Sequence, residues 1–285
     1  MLQAVLAVPR AALSFPRNGV EKAAIVIAIL IVLLAVLGVW LAPFDPLKIN
    51  FRGKLEPPSF THLLGTDGSG RDVLSRLLYG AQLTLASTFL VLAVIVAVGC
   101  AIGIFSAFIG GVVDNLLMRL ADIWLGFPPL ILAFGFAAAL GASLQAAIWA
   151  LFFSWWPTYA RLTRMVTVDI LSQKFMASAD ALGVPVHRKI LNYVIPNAFD
   201  VLIVQATLDV SAVMLAISGL SFIGVGAQIP TPEWGAMIAD GRSYVANGWW
   251  IVLAPGLAIF LTALAFNVIG DMLRRELDPT SSRRQ

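Results

Sequence analysis

The stretch FMASADALGVPVHRKILNYVIPN, residues 175–197, decides how the rest of the chain is read. It is a polar, basic island between two long apolar runs. Small residues come first (Ala177, Ser178, Ala179, Ala181), and Gly183 and Pro185 then interrupt the chain. Glycine accepts the positive φ that follows a helix end, and proline is tolerated at a helix start but not inside a helix. The spacing therefore predicts two short helices meeting at an elbow, over 167–182 and 186–195, with Pro196 closing the second. A solvated loop between membrane helices is the plain alternative. The small-residue face and the fixed break point instead to a peg shaped for another protein's groove.

With these residues placed, the segment resembles the EAA loop of ABC importer permeases. That loop runs Glu-Ala-Ala, three residues, Gly, nine residues, then Ile-x-Leu-Pro. Counting from Gly183 puts the triplet at Ala177-Ser178-Ala179 and the closing motif at Tyr193-Val194-Ile195-Pro196. Ala177 stands where the family carries Glu. The resemblance implies that Ala177, Ser178, Ala179, Asp180, Ala181, Leu182, Gly183 and Pro196 couple the chain to a cytoplasmic ATPase.

Composition bounds the class. Of 285 residues, 59% are hydrophobic and 12% charged, about half the usual charged share, and the net charge is +3. Mean hydropathy is +0.88. This is the profile of an all-α polytopic membrane protein, and the small basic excess does not argue for nucleic acid. The single cysteine, Cys100, excludes an intrachain disulfide and reads as a packing residue. There is no G-x-x-x-x-G-K-[ST] phosphate loop, and His62 and His187 are too far apart in sequence to form a local metal pair. No catalytic and no metal-ligating residues are assigned.

Residues 1–22 form a mildly basic tail, and 23–42 an uncharged run long enough to span a bilayer, read as a retained helix. Residues 43–81 form a long polar connection. Within it GTDGSG is turn chemistry, and 71–79 is predicted to be an amphipathic interfacial helix with Arg71, Asp72, Ser75 and Arg76 on its polar side. A five-helix core is expected over 82–273, with the coupling loop at 161–197 and a tail from 274. Its third span opens amphipathically, where Arg119 and Asp122 are expected to pair at i,i+3, and turns apolar after Pro128-Pro129. Asp278-Pro279 reads as a helix stop.

Six spans place both termini on one side. On that assignment the cytoplasmic segments hold 13 of the 19 Lys and Arg residues and the external ones 6, which puts the coupling loop inside the cell. Trp40 and Trp249-Trp250 then mark the outer interface, and Trp124 and Trp155-Trp156 the inner one.

GTDGSGRDVLSRLLYGA (65–81), LSFIGVGAQIPTPEWGAMIADGR (220–242) and AFNVIGDMLRRELDP (265–279) are similar to the second-permease subunit of the dipeptide, oligopeptide and nickel branch of the ABC permeases. This resemblance covers residues 25–280. It implies the type I importer fold of six transmembrane helices, in the inner membrane of a prokaryote. It also implies four kinds of partner: a sister permease, two ATP-binding subunits carrying ATP and Mg, an extracytoplasmic substrate-binding protein, and membrane lipid. The chain itself would hold no cofactor. The loop with Pro230, Pro232 and Trp234 would dip into the outer mouth of the pore; a simple anchor at the headgroup level is the alternative.

Three functions fit a polytopic protein: a transporter subunit, an intramembrane enzyme, and an autonomous channel or scaffold. Asp200 and Asp209 have no His, Lys or Cys nearby in their span to complete a catalytic set, so the transporter reading stands. The resemblance implies di- and oligopeptides as substrates, with nickel, metal chelates, opines or glutathione as alternatives. Gln205, Asp209, Ala212 and Ala216 recur at i, i+4, i+7 and i+11, a small, polar stripe that either lines the translocation pathway or hydrogen-bonds a neighbouring helix. The sidedness is testable: Ser172→Cys should react with a membrane-impermeant thiol reagent only from the cytoplasm, and Thr231→Cys only from outside. Labelling of both from one side overturns the six-span topology.

Overall fold

The computed structural model describes residues 18–277, so the tail at 1–17, the stop at Asp278-Pro279 and the remaining C-terminal residues lie outside it. Helices account for nearly all of the ordered elements: α1 Gly19–Leu41, α2 Val73–Ile109, α3 Gly111–Leu125, α4 Pro129–Leu140, α5 Leu144–Leu171, α6 Lys174–Ala181, α7 Val186–Lys189, α8 Ile195–Ile223, α9 Trp234–Gly241 and α10 Trp250–Leu277. Among the described residues the sole β pairing is an isolated bridge between Thr66 and Asp72. Among the described residues four helices are long and apolar enough to cross a membrane, or five if the bent pair α3 and α4 is one span.

The boundaries follow local chemistry. Asp72 caps α2 by accepting from the Ser75 N–H at 2.7 Å, and Ser143 caps α5 by accepting from the Ala146 N–H at 3.0 Å. Proline opens α4 at its first turn, where no N–H is needed. The expected continuous third span is broken here: α3 and α4 meet at 90° across Gly126, Phe127 and Pro128. Pro129 cannot donate into the turn before it, so the helix ahead stops rather than bends.

α2 and α5 run parallel in closest contact. A Cβ added at Gly99 would lie 2.5 Å from Cβ of Tyr159, and one at Gly103 would lie 2.8 Å from the Arg164 nitrogen. Around this seam Val91, Ile95, Ala147, Leu151, Val213 and Ile217 form the main core, to which α4 and α8 contribute. α10 packs against α8, where Leu208 fills the space beside Gly270, and α1 lies across α2 and α10. Arg275 near the end of α10 donates to Glu21 at the start of α1 at 2.6 Å, so the two described chain ends meet at one end of the bundle.

At the other end, the connection from 43 to 72 is folded down by buried charge. Arg71 donates through Nε to Asp67 at 2.6 Å and through Nη2 to Asp240 at 2.5 Å. Arg76 is 2% exposed, with Asp67 at 3.5 Å and Asp240 at 3.7 Å. The amphipathic helix expected at 71–79 is thus the first turns of α2, and its polar side is interior. Ions removed from water must be paired, and the partner Asp240 lies 169 residues away in sequence. Trp250 also departs from its expected interfacial role: it is buried and donates to the Thr66 carbonyl at 3.1 Å, whereas Trp40 and Trp249 are exposed.

The loop carrying Pro230, Pro232 and Trp234 turns back into the protein as α9. Glu233, fully buried, caps α9 through the Ala236 N–H at 3.0 Å and accepts from Ser218 and Thr84 hydroxyls at 3.2 and 3.3 Å. Trp234 donates to the Leu77 carbonyl at 3.0 Å. Simple headgroup anchoring does not describe this loop, because its tryptophan is 2% exposed.

Candidate functional site

The elbow forms where the sequence breaks it. α6 ends in a Schellman motif: the Gly183 N–H donates to the Asp180 carbonyl and the Val184 N–H to the Ala179 carbonyl, both at 3.0 Å. Gly183 has φ +67°, and a Cβ there would meet nothing within 4 Å, so the backbone angle alone demands glycine. Lys189 forms an ion pair with Asp180 across the bend. Below it, Met176, Ile170 and Val194 make a small core, with Phe175 stacked on Tyr193 at 6.0 Å.

This anchoring leaves one side of α6 bare. Ala177, Ser178, Asp180, Ala181 and Leu182 are exposed, Leu182 to 82%, and Gly183 with them. Ala179, assigned to the contact face from sequence, is buried against the chain itself. The expected helix over 167–182 is two: α5 stops at Leu171, and Gln173 restarts the chain as α6. Pro196 does not close a helix either. It lies within a continuous helical run of 38 residues from Val186 to Ile223. The turn Ile190–Val194 widens to π geometry, with the Ile195 N–H donating to the Ile190 carbonyl, which makes room for the proline ring. The Asn197 side chain donates to the Tyr193 carbonyl at 2.6 Å.

The polar stripe on α8 is turned into the bundle. Asp209 accepts from the Tyr159 hydroxyl of α5 at 2.7 Å and from Gln205 Nε2 at 3.1 and 3.2 Å. Ala216 is part of the main core and Ala212 is half-buried. Gln205 also borders a surface cleft with Asp200 and Arg274. Tyr159 went unnoticed in the sequence because its partner is 50 residues away on another helix. The same holds for two ion pairs on α5. Arg164 holds Asp114 of α3 by two bonds, at 2.9 and 2.6 Å, and Arg161 lies 2.9 Å from Asp122. Asp122 therefore pairs across helices, not with Arg119.

The fold defines a helical bundle with several spans long and apolar enough to cross a membrane, carrying an exposed elbow at one end. The chain belongs to the family of binding-protein-dependent transport system inner membrane components, whose profile matches residues 99–283 and so spans the elbow and the stripe. It is 40% identical over 260 residues to the probable D,D-dipeptide transport system permease protein DdpC of Escherichia coli (strain K12), covering 91% of this chain and 87% of that one. It is 41% identical over 271 residues to the dipeptide transport system permease protein DppC of the same strain, covering 93% and 90%. The nickel transport system permease protein NikC, also of that strain, is 38% identical over 263 residues, covering 92% and 95%. In fold, the chain is similar to a chain of the MetNI methionine ABC transporter in an inward-facing conformation. The TM-score is 0.56 at 19% identity, over 71% of this chain and 96% of that chain. The architecture is that of a type I ABC importer permease, an all-helical, multi-pass inner-membrane protein.

The bond between Tyr159 and Asp209 separates the two readings of the stripe. As a structural link, its loss in Tyr159→Phe or Asp209→Asn should lower the stability of the purified complex by about 1–3 kcal/mol and slow every substrate alike. Selective slowing of cationic substrates, with unchanged thermal unfolding, would assign Asp209 to the pathway instead.

Proposed function

We propose that this chain is the second permease subunit of an ATP-driven importer of di- and oligopeptides, working by alternating access. The observation that carries the coupling is α6: a short helix with a small-residue face, held out from the bundle and ended by a fixed glycine turn. Small side chains let a helix enter a groove on an ATPase subunit closely, and the 183 turn sets its angle. The contact face is Ala177, Ser178, Asp180, Ala181 and Leu182, with Ala179 supporting it from behind.

The partners of this reading are a sister permease, two ATP-binding subunits that carry ATP and Mg, and an external binding protein. The sequence carries no G-x-x-x-x-G-K-[ST] phosphate loop, so the nucleotide chemistry is assigned to those subunits. On this reading six spans, counting α5 and the bent pair, leave both ends of the chain on one side. The Lys and Arg bias makes that side the cytoplasm, and the Arg275–Glu21 link between the first and last helices is consistent with it. Peptide is favoured over nickel as substrate because two relatives, at 40% and 41% identity, are dipeptide-type permeases.

The test is uptake by the full complex in proteoliposomes with its binding protein. The wild type should accumulate labelled dipeptide with ATP and leave nickel outside. Gly183→Val, strained by its φ, should still assemble and hydrolyse ATP while uptake falls at least tenfold. Normal dipeptide uptake by Gly183→Val defeats the coupling role, and nickel accumulation without peptide defeats the substrate assignment.

A further inference from the structure

α3 is joined to the bundle mostly by polar links. Of its 15 residues, Asp114 and Ala121 are the buried ones. It connects to α2 through Gly110-Gly111, both at positive φ and with open space around them, and it leaves at 90° into α4. Between those two joints α5 holds it at three places: Arg164 on Asp114, Arg161 on Asp122, and the Phe153 carbonyl, which accepts from Trp124 Nε1 at 2.7 Å. The three are unequal. Asp122 and Arg161 are more than half exposed, and such pairs contribute little. Asp114 is buried, takes both arms of the Arg164 guanidinium, and receives a further bond from Ser106 of α2 at 2.5 Å. A two-armed guanidinium–carboxylate pair fixes orientation as well as distance.

Arg164 lies seven residues from the end of α5, and α6 follows within three more. It sits at the α2–α5 seam, where a Cβ on Gly103 would press on its backbone. A displacement of α6 that turns α5 therefore reaches α3 at Asp114 first. We propose that Arg164 and Asp114 are positioning residues for transport: their pair makes α3 and α4 follow α5 when α6 is moved from below. This inference rests on the coupling role given to α6.

The experiment compares Asp114→Asn and Arg164→Lys in the reconstituted complex, reading peptide taken up per ATP hydrolysed. Arg164→Lys keeps the charge and removes the second arm. Both variants should co-purify with their partners and hydrolyse ATP, with uptake per ATP lowered roughly tenfold, inside the 5–150-fold range usual for coupling between sites. A merely structural pair would lower uptake and hydrolysis in proportion. If Asp114→Asn fails to assemble, Arg164→Lys decides alone. A wild-type ratio in Arg164→Lys, or failure of both variants to assemble, overturns the proposal. Gly183→Val run alongside separates the two levels: if it uncouples while Arg164→Lys does not, this inference alone fails, and if it couples normally, the role of α6 fails.

Discussion

The close approach of α2 and α5 is the constraint on which the rest of the bundle depends. Gly99 and Gly103 let the backbone of one helix lie against Tyr159, Ala160 and Arg164 of the other. In an apolar solvent, helices gain little from hiding hydrophobic surface, so contact at short range and hydrogen bonds must hold them. The seam brings Tyr159 within reach of Asp209 on α8 and brings Arg164 beside Asp114 on α3. A larger residue at 99 or 103 would push α5 away and loosen both polar links at once.

Several charged side chains act as joints between elements. Asp67, Arg71, Arg76 and Asp240 tie the 43–72 connection to α2 and α9. Glu233 fastens α9 to α2 and α8. Asp114 and Arg164 join α3 to α5 toward the elbow end of the bundle. Removing one partner of the buried Asp67–Arg71–Arg76 cluster leaves an uncompensated charge, which costs about 3–5 kcal/mol. The outer face of α6 is exposed instead, which is what the proposed contact with an ATP-binding subunit needs.

How much of this was legible in the sequence depended on the distance over which the cause acts. Gly183 and Pro185 announce the elbow because a left-handed turn and a missing N–H are properties of single residues. The long apolar runs announce α1, α2, α8 and α10 for the same reason. Pro196 misled, since a widened turn upstream absorbs its ring and lets the helix continue. Arg71 and Arg76 misled more strongly: their spacing is that of a solvated helix face, and nothing near them in the chain reveals Asp240. Ala179 carries no local mark of the side it faces: the sequence puts it on the contact face, and the packing of α6 buries it beside Met176. Tyr159 and Arg164 carry no local mark at all, and the geometry of α5 against α2, α3 and α8 was needed to find them.

Site-specific photocrosslinking from α6 in the assembled complex tests the coupling role most directly. A photoreactive residue at Ala181, on the exposed face, should crosslink to an ATP-binding subunit, and the yield should change between nucleotide-free and ATP-bound states. One at Met176, on the buried face, should give crosslinks within this chain only. Crosslinking from Ala181 to lipid or to the sister permease alone, with no ATP-binding subunit captured in either state, would contradict it.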